Sequence, residues 1–131
     1  MAAVQVQKTY FIVVVADMER AVRFYVEAFG ASVDFSSAEW SELKVAGSTV
    51  ALHPGGDGTE TLTGLGFEVP DLDAALRQVT HAGGRVTSPA RDRPTERIRL
   101  ARVADTECNL LTVAEARRSS ERSQISSRSR G

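Results

Sequence analysis

From Tyr10 to Val15 the chain is an unbroken run of aromatic and β-branched residues, the composition of a strand buried on both faces. The apolar period then changes. Met18, Ala21, Val22, Tyr25, Val26 and Phe29 recur at helical spacing and form a single stripe. Asp17 stands where an N-cap accepts from the first free amides, and Gly30 stands where a chain leaves a helix with positive φ. Three short strands follow, near 32–35, 40–45 and 49–53, separated by the turn formers Ser36-Ser37 and Ala46-Gly47-Ser48.

The same plan then repeats. Asp71 lies 54 residues beyond Asp17, and at that offset Val15, Asp17, Ala21 and Arg23 meet Val69, Asp71, Ala75 and Arg77. Met18/Leu72, Glu19/Asp73 and Val22/Leu76 are near-equivalent pairs. The second copy predicts a strand at 65–69, a helix at 72–81 stopped by Gly83-Gly84, and strands near 85–87, 97–103 and 109–114. A Pro-Gly-Gly-Asp-Gly-Thr-Glu-Thr segment, 54–61, links modules at about 8–53 and 62–115. The class is α+β, with βαβββ taken twice in one domain over 1–116.

Charge divides the chain differently. The formal net charge is −1 over 131 residues, which argues against nucleic acid as the main partner. From 117 to 131, however, stand five Arg, six Ser, one Glu and a single apolar residue, Ile125, so the segment reads as a disordered Ser/Arg tail. The remaining body carries −5. One cysteine, Cys108, excludes an internal disulfide framework and a Cys-based zinc site. No apolar run approaches the roughly 20 residues of a membrane span, and a cytoplasmic location is the expectation.

The segment Val15-Ala16-Asp17-Met18-Glu19-Arg20-Ala21-Val22-Arg23-Phe24-Tyr25, closed by Phe29-Gly30, resembles the first motif of the vicinal oxygen chelate superfamily. That group includes glyoxalase I, extradiol dioxygenases and bleomycin-resistance proteins. Asp105-Thr106-Glu107-Cys108-Asn109 resembles its Asp-Pro-Asp-Gly-Asn turn, with Thr106 and Cys108 where Pro and Gly are usual. The resemblance implies an eight-stranded, U-shaped sheet around a cleft, and a homodimer. It also implies four positions for divalent-metal ligands, His or Glu in relatives. Here they read Tyr10, Ala51, Gly64 and Thr112, and Ala and Gly offer no side-chain donor. No metal and no cofactor is the expectation. His53, even with Glu68, falls short of three ligands, and His81 belongs to a helix end.

Alternation along the strands names the cleft lining: Tyr10, Ile12, Val14, Ala51, His53, Gly64, Gly66, Glu68 and Thr112, with Trp40 placed to stack on a flat ligand. Small residues at 51, 64, 66 and 112 leave volume for an organic molecule. Glu68 interrupts an apolar run, where a carboxylate must be paired or wet. It reads either as a cleft acceptor or general base raised by burial, or as a rim carboxylate paired with an Arg such as Arg97 or Arg99. His53 reads as a ligand-facing hydrogen-bonding group or as a solvated rim residue.

The functional reading is a metal-free binding or sequestering protein of resistance type, its guest a small aromatic or cationic organic molecule suited to a negative body. The alternatives are a metal-independent isomerase, epimerase or cyclase using Glu68, His53 or Tyr10, and a degenerate regulatory module. Neither nucleic acid nor membrane is expected as a partner.

Overall fold

The computed structural model describes residues 2–116; the predicted Ser/Arg tail lies outside the described residues. The first module runs β1 (Tyr10–Val15), α1 (Met18–Phe29), β2 (Ser32–Ser36), β3 (Ser41–Val45) and β4 (Ser48–Pro54). The second repeats it as β5 (Thr61–Glu68), α2 (Leu72–His81), β6 (Arg85–Arg93), β7 (Ile98–Ala104) and β8 (Asn109–Ala116). The fold is α+β, two tandem βαβββ modules. Hydrogen bonding divides the eight strands into two sheets of four, in the orders β1-β4-β3-β2 and β5-β8-β7-β6. In each sheet the first and last strands pair parallel and the others antiparallel.

Both helices begin as the sequence requires. The Asp17 and Asp71 carboxylates accept from the amides of Arg20 and Ala74, each at 3.1 Å. Such a cap is worth about 1 kcal/mol. Gly30 ends α1 at φ 69°, in the left-handed region where only glycine has no steric cost.

The helices cover one face of each sheet, and the core lies between. Val13, Val15, Leu43, Val50 and Leu52 of the first sheet and Ala101, Val103, Leu111 and Val113 of the second are buried against Phe24, Tyr25, Leu72 and Val79. Burying a residue of that size stabilises the fold by about 1.5–3 kcal/mol.

Two expectations are corrected. β1 is buried on one face only: Val13 and Val15 point inward, while Tyr10, Ile12 and Val14 are exposed. A composition rich in β-branched residues cannot report which face lacks a covering layer. The strand predicted at 85–87 extends to Arg93, because register shifts after Val86 and Ser88 absorb Pro89 without ending the pairing to β7.

Candidate ligand-binding site

The uncovered face of the first sheet carries an aromatic cluster. Along β1, β4 and β3, Ile12 lies opposite Ala51 and Ala51 opposite Glu42. The Tyr10 and Trp40 rings meet edge to face at 5.8 Å, and Trp40 meets the His53 ring at 6.1 Å. Ala51 is 0% exposed although it lies on this open face, between Ile12 and Glu42.

Glu42 joins this cluster on the same face. It accepts from Trp40 Nε1 at 2.8 Å and pairs with Lys8, and these two bonds hold its carboxyl below the usual range. Lys44 donates to Thr49 Oγ1 at 3.2 Å and lies 3.7 Å from Asp34. His53 turns Nδ1 to the Pro54 carbonyl at 2.6 Å, which orients its ring.

The open volume lies to one side of the cluster. A cavity of about 1010 Å³ is lined by Tyr10, Phe11 and Lys44 of the first module and Gly64, Gly66 and Glu68 of the second. A Cβ on Gly64 would lie 3.7 Å from the Phe11 ring, so that glycine faces β1 across the space between the modules. Thus Tyr10, Gly64, Gly66 and Glu68 share one cavity, and Tyr10 joins it to Trp40, Ala51 and His53. Val14 instead borders a smaller cavity of about 220 Å³ beside the Gly55–Thr59 segment. Ile12 and Thr112 lie on the open sheet faces outside both.

Glu68 ends β5 exposed, which removes burial as its reason to act as a base. Arg99 is not its partner: its guanidinium reaches Asp73 at 3.2 Å and Asp92 at 4.0 Å, on the helix-covered side of β7. Alternation could have shown this, since Arg99 precedes the buried Ala101 by two residues. The same alternation from Trp40 would have found Glu42.

The turn before β8 holds the two modules together. Glu107 Oε1 accepts from the amides of Ala16 and Asp17 at 3.0 and 2.9 Å, while Arg20 Nε reaches its Oε2 at 2.8 Å. Burial pushes the Glu107 carboxyl up, but these donors, Thr106 and the Arg20 charge together hold it below the usual range. Asp105 accepts from the Tyr25 hydroxyl at 2.6 Å, and Asn109 Nδ2 donates to the Val14 carbonyl at 2.9 Å. Burial raises both Asp105 and Tyr25. Glu107 thus fastens the start of α1, while Asp105 holds Tyr25 in the C-terminal half of that helix and the amides of its own turn.

Among the described residues no group of three or more His, Cys, Asp or Glu is placed to hold a metal ion. The four positions that the family resemblance marks for a divalent ion, Tyr10, Ala51, Gly64 and Thr112, are a phenol, a methyl group, a bare backbone and a hydroxyl, a set that does not fit one.

Two modules of this topology, each with a helix on one face of its sheet and with a ligand-sized space between them, define a class of paired βαβββ proteins. Residues 7–113 match the Glyoxalase/Bleomycin resistance protein/Dioxygenase superfamily, and the chain belongs to it. No curated protein sequence matches. Among solved structures, the genomically encoded fosfomycin resistance protein FosX from Listeria monocytogenes is similar, with TM-score 0.72 and 16% identity over 86% of this chain and 95% of that one. A glyoxalase-related enzyme from Fulvimarina pelagi gives TM-score 0.69 and 20% identity, over 83% and 87%. TioX from Micromonospora sp. ML1 gives 0.62 and 23%, over 82% and 98%. At these identities the likeness is one of fold. No helix among the described residues is long and apolar enough to cross a membrane.

Proposed function

We propose that this protein binds a small organic molecule without a metal ion, as a resistance or sequestering protein of the cytoplasm. The observation that carries the reading is Ala51: it stands fully buried on the face that carries the Tyr10, Trp40 and His53 rings, where the family resemblance marks a metal-ligating carboxylate. Aromatic edges and faces recognise flat apolar groups, and the adjoining cavity is large enough for a drug-sized guest. The resistance role is supported by the family description and by the FosX relative. A homodimer is supported by the apolar residues left on the uncovered faces, Tyr10, Ile12, Val14 and Leu62.

Trp40 is the only tryptophan, so its fluorescence reads this site directly. Titration with aromatic metabolites and antibiotics in excess chelator is expected to give a saturable change, weakened by Tyr10→Ala. A response lost on adding chelator, or no response to any aromatic compound, counts against the reading. A second reading, a metal-independent isomerase, epimerase or cyclase, is favoured by one observation. Tyr10 and Glu68 line the same cavity from opposite modules, an acid and a base across one space. Turnover abolished by Glu68→Gln with binding retained would select it.

A further inference from the structure

The uncovered face of the second sheet has a chemistry different from that of the first. Ala101 and Val103 are buried toward the helices, so Arg102 between them points to the open side. Directly opposite Arg102 lie Ser88 on β6 and Thr112 on β8. Opposed residues share a face with Cβ atoms about 5 Å apart, which puts a hydroxyl on each side of the guanidinium. One step along, Arg91 lies opposite Leu100 and Leu100 opposite Ala114. Arg91 is therefore the diagonal neighbour of Arg102, within reach for two side chains of that length.

Neither Arg91 nor Arg102 has an ion-pair partner among the described residues, and neither the Ser88 nor the Thr112 hydroxyl makes a hydrogen bond there. The nearby carboxylates are committed elsewhere or distant. Asp92 and Asp73 hold Arg99 on the other face, and Glu96 holds Arg93. Glu68 faces the same side from β5, opposite Ala114; it lies about two strand spacings or 10 Å from β7, which carries Arg102, and about three or 14 Å from Arg91. Leu100 and Ala114 are half-buried beside the two arginines and supply an apolar strip.

We infer that Ser88, Arg91, Arg102 and Thr112 form a binding site for the oxyanion of a small organic acid, whose apolar part lies along Leu100 and Ala114. Two guanidiniums and two hydroxyls are all donors toward a carboxylate or phosphate oxygen, and a guanidinium fork matches either in geometry. The site deepens the small-molecule reading and rests on it. It also replaces the expectation of a cationic guest: net charge is a sum over the body, and this face carries the opposite sign.

Isothermal titration of the whole protein with benzoate, phenyl phosphate and phenyltrimethylammonium tests the site. One or both anions are expected to bind and the cation not to; whichever anion binds tells carboxylate from phosphate ester. Arg102→Gln and Arg91→Gln are each expected to weaken anion binding about tenfold or more, as loss of a charge-assisted hydrogen bond does. Arg77→Gln, exposed on α2, is expected to leave it unchanged. Anion affinity equal in the Arg102→Gln protein, tighter binding of the cation, or no anion binding at all overturns the assignment. The Trp40 titration fails or succeeds separately, because it reads neutral aromatic compounds on the first sheet.

Discussion

Cys108 sits in the turn before β8 with φ 65°, a left-handed conformation that costs a residue with a Cβ about 1–2 kcal/mol. The Asp-Pro-Asp-Gly-Asn turn that this segment resembles has glycine at this position. Cys108→Gly is expected to raise unfolding free energy by about 0.5 kcal/mol, the strain relieved less the added chain entropy. Cys108→Val is expected to lower it, and chemical denaturation reads both. Glu107, beside it, gives a pH dependence. Its folded value lies below its unfolded one, so its contribution is present above the ordinary carboxylate range and is lost as pH falls through the folded value. Asp105 has the opposite sign: raised by burial, it favours the fold at acid pH and loses that contribution as pH rises through its folded value. Glu107→Gln is therefore expected to destabilise at neutral pH, by about 2 kcal/mol, and to flatten the acid limb of the stability curve. An unchanged acid limb would mean that Glu107 is not the titrating group. The turn motif was legible in the sequence, but its clasp on Ala16, Asp17 and Arg20 was not. No local pattern reports a contact across about ninety residues.

At the scale of elements, the caps, the two helices and β1 were legible because their signals are local: a carboxylate before an apolar stripe, a change of period, a glycine after it. Gly84 shows what a local reading misses. It reads as a helix stop, yet a Cβ there would lie 2.6 Å from the Ala104 carbonyl oxygen and 2.9 Å from both Phe24 and Val79. The glycine is where β6 leaves α2 pressed against β7 and the other helix. Gly84→Ala is expected to cost about 1–3 kcal/mol, read as a lower melting temperature, with binding at Trp40 retained. The length of β6 was hidden for a related reason. Pro89 and the polar residues about it look like a loop, and pairing to β7 with register shifts overrides them.

For the whole molecule, duplication was the strongest signal in the chain, and it carried the architecture. What the sequence left unresolved is how the modules share space. The predicted lining divides among a ring cluster, a cavity between modules and the open sheet faces, since alternation names a face but not its neighbour. The proposed metal-free site rests on missing donors: Tyr10, Ala51, Gly64 and Thr112 occupy the positions that the family resemblance marks for His and Glu. Its most direct test is elemental analysis of protein purified without metal affinity and dialysed against manganese, iron, nickel and zinc salts. Bound metal far below one ion per chain and an unchanged melting temperature are expected. One tightly held divalent ion per chain, with a raised melting temperature, would contradict it.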